Sequence, residues 1–255
     1  SDLRTALEEG SLTLFYQPQV NGTGLCYGAE ALLRWNHPTL GYLNPELLVD
    51  LARESGFLFL LEQQILELAC QGLAQFSSAG LGDFKISVNI TAETLAEDSF
   101  EEVLHKSVQK HKIDPKNLFL EFTEQTALSQ SSATTDKLRR IHSQGYRLII
   151  DDFGMGYTSM LHLQNNYFDM IKLDGSLVRQ ILENPRSCDI IASIVGLGRS
   201  LHFTVLAEYV ETVPQRDKLL SLGCTHFQGY LYGRAVPLAE LLSSKGSLPF
   251  SLPSV

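Results

Sequence analysis

The sequence predicts an α/β fold, a (β/α)8 TIM-like barrel, on three observations. Short apolar, β-branched runs alternate with longer stretches of helical periodicity, the pattern of a mainly parallel sheet with helices outside. Eight such runs are present, the number that closes a barrel; an open doubly wound sheet is the alternative, but no G-x-G-x-x-G follows the first run. Most of the runs end on a polar or acidic residue, and in a parallel barrel those ends gather on one face, where active sites of this fold lie.

In chain order the strand candidates are Leu12 to Tyr16, closed by Gln17 and Pro18, then Tyr27 to Leu33, Phe84 to Ile90 and Leu118 to Phe122. Arg147 to Ile150, Met170 to Leu173, Phe203 to Ala207 and a weaker run at His226 to Leu231 complete the eight. Pro45 to Glu54 reads as a helix because proline stands at its start and Gly56 stops it. Leu58 to Phe76 is apolar at helical spacing, and Thr134 to Ser143 ends at Gly145. Ser187 to Leu201 and Pro214 to Leu222 follow, the last with Gly223 as its C-terminal stop. Glu97, Asp98, Glu101 and Glu102 read as a solvated helix start, favoured by the helix dipole.

A chain of 255 residues without a linker-like segment suits one domain over 1–255. It opens on Ser1 rather than Met and enters an amphipathic pattern at once, so it reads as a piece cut from a longer protein. With 44% apolar and 19% charged residues the composition is globular. A formal net charge of −9 argues against long nucleic acids as partners, while a small phosphate ligand stays possible where bound cations invert the local field. No apolar run reaches the ~18 residues that span a bilayer. The cysteines Cys26, Cys70, Cys188 and Cys224 form no CxxC pair and read as reduced thiols.

Chemistry concentrates at the strand ends. Asn89, Glu121, Asp151 with Asp152, Lys172, Glu208 and Gln228 each follow or close an apolar run, and Glu30 lies inside the second. One mouth would then hold five carboxylates, Glu30, Glu121, Asp151, Asp152 and Glu208, with Asn89 beside them. Such a cluster is tolerable if some members are protonated or if divalent cations neutralise them. Oxygen ligands without histidine or thiolate suit Mg²⁺ or Mn²⁺. Asp151 and Asp152 would point to opposite faces of a regular strand, but a turn at its end can aim both inward, one toward each of two ions. Lys172 is either a structural ion-pair partner or the group that orients or deprotonates a water. Asp174 fits the N-cap of a following helix.

These residues resemble the EAL domains, cyclic-di-GMP phosphodiesterases of bacteria. Glu30-Ala31-Leu32-Leu33-Arg34-Trp35 is similar to the signature that names them. Ser87-Val88-Asn89, Glu121-Phe122-Thr123-Glu124, Asp151-Asp152-Phe153-Gly154, Lys172-Leu173-Asp174, Ala207-Glu208 with Val210-Glu211-Thr212, and Gln228-Gly229-Tyr230 follow in family order. The resemblance implies a barrel whose first strand is antiparallel to the rest. It implies metal ligation by Glu30, Asn89, Glu121, Asp151, Asp152 and Glu208 (two Mg²⁺ or Mn²⁺ per site), and catalytic roles for Lys172, Glu208 and Glu30. Gln17, Leu33, Arg34, Pro45, Asp174 and Gln228 would contact the dinucleotide, along with the segment near Leu40. Glu124 would pin a mobile loop running from Asp152 to Met160, and Glu211 would support the site from outside. The implied reaction is in-line hydrolysis of one phosphodiester of cyclic-di-GMP to linear pGpG. Also implied are a homodimer, a parent chain with sensor or diguanylate-cyclase-like domains, compatible with a membrane anchor, and a place on the cytoplasmic face of the cell.

Four features depart from the family pattern. Tyr209 stands where glycine usually separates Glu208 from Val210, so a bulky ring could shift Glu208 or intrude on the pocket. Arg53 occupies a position that is often acidic. The connection from Val20 to Leu25 is short, and Asn165-Asn166-Tyr167 replaces a more apolar stretch. Because of Tyr209, a catalytically weak or inactive receptor that binds cyclic-di-GMP is the alternative reading.

Overall fold

The computed structural model describes residues 2–154, 163 and 167–244. Helix α1 (Asp2–Glu9) leads into strands β1 (Thr13–Asn21), β2 (Cys26–His37) and β3 (Gly41–Leu43). Helix α2 (Pro45–Glu54) has the expected bounds: Asn44 caps it by accepting from Glu46 N–H, and Pro45 fills a position that needs no donor. The 21-residue α3 (Leu58–Ser78) buries a stripe through Leu58, Leu61, Ile65 and Ala69.

Strand β4 (Lys85–Asn89) then precedes α4 (Ala92–Ala96) and α5 (Phe100–His111), the latter with Glu101 and Glu102 in its first turn. Next come β5 (Leu118–Thr123), α6 (Glu124–Ala127), α7 (Ser132–Ser143), β6 (Arg147–Phe153), β7 (Met170–Leu173) and α8 (Gly175–Arg179). The remaining elements are α9 (Pro185–Leu201), β8 (Thr204–Ala207), α10 (Val213–Ser221), β9 (His226–Gln228), β10 (Val236–Pro237) and α11 (Leu238–Ser243). A capping box between Thr212 and Gln215, with Pro214 beside it, fixes the start of α10.

Strands β1, β2, β4, β5, β6, β7, β8 and β9 close on one another in that order. β1 runs antiparallel to both its neighbours, β2 and β9, and every other neighbouring pair in the ring is parallel. The barrel and its reversed first strand agree with expectation. Two strands run further than their apolar runs. β1 continues through Pro18 to Asn21. Its outer edge pairs with β10 at Phe15 and Tyr16 and with β9 from Gln19 on, so no partner faces Gln17 or Pro18 there, the kind of place where a strand accepts proline. β2 pairs with β4 only from Gly28 to Glu30, stays on β1 as far as Arg34, and pairs with β3 from Trp35 to His37. Glu30 therefore lies at the barrel mouth although it is in mid-strand.

Inside the barrel the two-residue period of the strands sets the layers. Phe119, Ile149, Met170 and Leu206 form a buried apolar floor, with Tyr27 packed against it. Two residues on from each of the four stand Glu121, Asp151, Lys172 and Glu208. The larger apolar core lies between the barrel and its outer helices, and Trp35 is buried there as a packing residue. His37 is buried as well. Its Nδ1 accepts from the backbone N–H groups of Thr39 and Leu40, which holds the turn after β2.

Candidate active site

Lys172 is the centre of the charged layer. Its Nζ lies 2.8 Å from Glu121 Oε2, 2.9 Å from Glu208 Oε1, 3.2 Å from Glu30 Oε2 and 3.3 Å from Asp151 Oδ1. The side chain is 1% exposed and Glu121 beside it is 0% exposed, so these charges meet almost without water. Burial alone would lower the Lys172 pKa, but Asp151, Glu121, Glu208 and Glu30 together hold it well above the ordinary lysine value.

One ammonium does not balance four carboxylates. Burial, with Glu30 nearby, raises Glu121 well above the carboxylate range, and burial pushes Glu208 up to about 8 against the pull of Lys172. Glu30 goes the other way. Burial pushes it up, but Lys172 and hydrogen bonds from Gln228 (2.6 Å) and Asn89 (2.8 Å) carry it below its usual value. Among the described residues Glu121 Oε1 finds no hydrogen-bond partner although it is buried.

Asp151 and Asp152 act as a pair because the strand breaks register between Ile150 and Phe153 and Asp152 adopts a φ of 54°. That left-handed turn brings oxygens of Asp151, Asp152 and Glu208 within 4.8 Å of one another, a set able to hold a metal ion. The donors are all oxygens, which suits a hard divalent cation; Glu30, Asn89 and Glu121 are not part of this set.

The cluster opens into a cavity of about 1300 Å³. Gln17, Leu33, Arg34, Pro45, Asn89 and Gln228 line it, as does the exposed Glu211. Arg34 donates to Leu33 O at 2.8 Å and lies over the Phe15 ring, and among the described residues it makes no ion pair. Asp174 is turned away: its carboxylate accepts from Ser176 N–H at 2.7 Å as the N-cap of α8, and it does not line the cavity. Leu40, 70% exposed, is also outside the lining. Glu124 accepts from Gly154 N–H at 3.1 Å where the expected mobile loop begins. Residues 155–160 of that loop, with Gly156, lie outside the described residues, as do 161–162 and 164–166 with Asn165 and Asn166.

The EAL domain profile matches residues 1–235. The chain belongs to the EAL domain family. MucR of Pseudomonas aeruginosa, a bifunctional diguanylate cyclase/cyclic di-GMP phosphodiesterase, is 36% identical over 244 residues, 95% of this chain and 36% of MucR. NbdA of the same organism, a cyclic di-GMP phosphodiesterase, is 34% identical over 241 residues, 94% of this chain and 31% of NbdA. The chain thus spans about a third of the length of these relatives. The solved PaMucR phosphodiesterase in complex with c-di-GMP superposes with a TM-score of 0.89 at 35% identity, covering 94% of this chain and 98% of that one. A calcium/cyclic-di-GMP complex of Klebsiella pneumoniae BlrP1 gives 0.78 at 27% identity, covering 89% and 56%.

Within this EAL domain Tyr209 does not displace Glu208, which still reaches Lys172 at 2.9 Å. The ring is instead part of the cavity wall. Arg53 also lines the cavity and is held by Asp50 at 2.6 Å and Glu93 at 2.7 Å. Two polar residues of the site escaped the sequence reading. Gln19 is buried and links Gln228 Oε1 (3.0 Å) to Ser87 Oγ (3.4 Å). It stands two residues from Gln17 on the same strand face, and that spacing was its signal. Glu62 is 3% exposed on the cavity wall, accepts from Thr91 N–H, and is pushed up to about 6 by burial. A glutamate four residues after Leu58, inside an apolar helical stripe, was the mark it left in the sequence.

Proposed function

We propose that this EAL domain is a metal-dependent phosphodiesterase that hydrolyses one phosphodiester bond of cyclic-di-GMP to give linear pGpG. The observation that carries the reading is the carboxylate layer around Lys172, opening into a cavity lined by Arg34, which makes no ion pair among the described residues. The names of its relatives support the substrate. Glu30, Asn89, Glu121, Asp151, Asp152 and Glu208 would hold two Mg²⁺ or Mn²⁺ ions. When bound, such ions acidify water and stabilise charge on the attacking and leaving oxygens.

The chain's own groups divide the remaining work. Arg34 offers a planar fork of N–H donors to a phosphate. Lys172, kept as an ammonium by its carboxylates, orients the attacking water and stabilises charge on the phosphoryl oxygens rather than removing a proton. Glu208, at the rim of the layer, accepts the water's proton. Gln228 and Asn89 fix the Glu30 carboxylate through both of its oxygens, and Gln17 and Gln19 hold Gln228 in turn.

The test is purified protein with cyclic-di-GMP and Mg²⁺ or Mn²⁺, followed by chromatography. Linear pGpG is expected from wild type and a loss of at least 100-fold in turnover from Glu30→Ala. Tight binding with the dinucleotide left intact under both metals would return the domain to the receptor class. The share of its relatives that the chain covers supports a longer parent protein, and the name of MucR supports a diguanylate-cyclase-like domain in it; a sensor domain and a place on the cytoplasmic face are proposed with it. A homodimer is the proposed assembly, to be checked by sedimentation.

A further inference from the structure

Tyr209 stands on the cavity wall and has no part in the mechanism. Its backbone φ is 55°, a left-handed conformation that a bulky side chain holds only where its surroundings demand it. Those surroundings are specific. A Cβ on Gly175 would lie 2.2 Å from Tyr209 Cδ2, so the ring sits in a notch that only glycine leaves open. Over the ring lies Arg179, its guanidinium carbon 4.2 Å from the centroid. Both Tyr209 and Arg179 line the cavity beside Asp152 and Glu208, and the tyrosine is 45% exposed. Among the described residues Arg179 makes no ion pair and no side-chain hydrogen bond, and its contact is the Tyr209 ring.

A flat, cationic, uncompensated surface beside a phosphodiester site suits a purine base. An arginine fork matches the O6 and N7 acceptors of guanine, whereas adenine presents a donor at the corresponding position. We propose that Tyr209, seated in the Gly175 notch beneath Arg179, is a specificity-determining residue: the pair forms the wall that receives one guanine of the dinucleotide, with Arg179 donating to O6 and N7. This rests on the functional reading above. Tyr209 supplies the stacked support and Arg179 the discrimination.

The experiment measures KM, kcat and melting temperature for Y209G, R179A, G175A and the double variant G175A/Y209G, with cyclic-di-AMP as competitor. Glycine accepts a φ of 55°, so Y209G is expected to melt no lower than wild type. Its KM for cyclic-di-GMP is expected to rise roughly ten-fold, the scale of the cation–π support that Arg179 loses, with the loss falling on KM more than on kcat. R179A should let cyclic-di-AMP compete far better than it does against wild type. G175A should copy Y209G by expelling the ring, and the double variant should be no worse than Y209G alone. Wild-type turnover with an unchanged KM in Y209G, or with G175A and Y209G fully additive, overturns this inference alone. A wild type that neither binds nor cleaves the dinucleotide overturns the functional reading and this inference with it.

Discussion

Replacing Lys172 by Met tests whether the charged layer is built as the geometry says. The substitution keeps most of the side-chain volume and removes the ammonium that touches four carboxylates at 2.8 to 3.3 Å. Without it, and without metal, the buried acids must take up protons in the folded state. Each carboxylate that newly takes up a proton in K172M, Glu30 first because Lys172 holds it low in wild type, costs at pH 8 about 1.4 kcal/mol per pH unit above an ordinary pKa near 4.5, a ceiling of about 5 kcal/mol for one group. Loss of one partner of a buried pair costs about 3–5 kcal/mol, in the same range. At pH 5 the same proton uptake costs under about 1 kcal/mol. The sign follows from raised acid pKa values: that stability is present below the unfolded pKa and is lost as pH rises through the folded one. Thermal melts in chelator should therefore place K172M roughly 10 °C below wild type at pH 8 and within a few degrees at pH 5. Mg²⁺ at pH 8 should return much of the melting temperature but not the turnover. Equal melting of K172M and wild type in chelator at both pH values would refute the account of Lys172 as counter-charge to the ring.

Three other outcomes are expected. Divalent cations should bind more tightly as pH rises toward 8 and should release protons on binding, because Glu208 holds its proton up to about 8 in the metal-free cluster; calorimetry in buffers of different ionisation enthalpy counts those protons. Glu62 has a folded pKa of about 6 against an ordinary 4.5, so its contribution is lost as pH rises from about 4.5 through 6, to a depth of about 2 kcal/mol. Urea unfolding of E62Q should lack that slope, since an amide oxygen can still accept from Thr91 N–H. Gly229→Ala should cost more than about 2 kcal/mol and lower turnover, because the new Cβ would lie 2.3 Å from Val210 O and prise apart the segments that carry Glu208 and Gln228; circular dichroism melts with a product assay check both.

The barrel strands were legible because each is a short apolar run with a polar end, and Met170–Leu173 has the bounds its sequence suggested. β1 and β2 were cut short for a different reason. Apart from Val20 and Trp35 the residues beyond Tyr16 and Leu33 are polar or proline, and what keeps them extended is pairing with β9 and β3, partners that local pattern does not reveal. The acids of the site could be read from their strand ends, as far as their type and approximate place. Their balance could not. A lone lysine after a strand does not disclose that four carboxylates converge on it. Nor does any local signal join Gly175, Arg179 and Tyr209, more than thirty residues apart at the extremes, since the left-handed turn that brings the ring to the glycine is a property of the folded chain.

The charged layer follows from the apolar floor beneath it. Because side chains alternate along a strand, the strands that send Phe119, Ile149, Met170 and Leu206 into the barrel must send Glu121, Asp151, Lys172 and Glu208 to the next level up. That floor keeps water from the lower side, so the acids cannot be solvated from beneath and must be compensated by Lys172, by protons or by cations arriving from the mouth. Exposure grades the acids in the same direction: Glu121 is wholly buried, Glu208 and Asp151 are at 12% and 17%, and Asp152 is exposed. Compensation is therefore fixed and internal at the Glu121 end, where Lys172 stands. It is exchangeable at the Asp152 end, where the donor oxygens of Asp151, Asp152 and Glu208 converge and the cavity gives a cation or a phosphate access. A barrel with the same acids above a polar, hydrated floor would lose that gradient, and with it the reason for a cation to settle where the substrate enters.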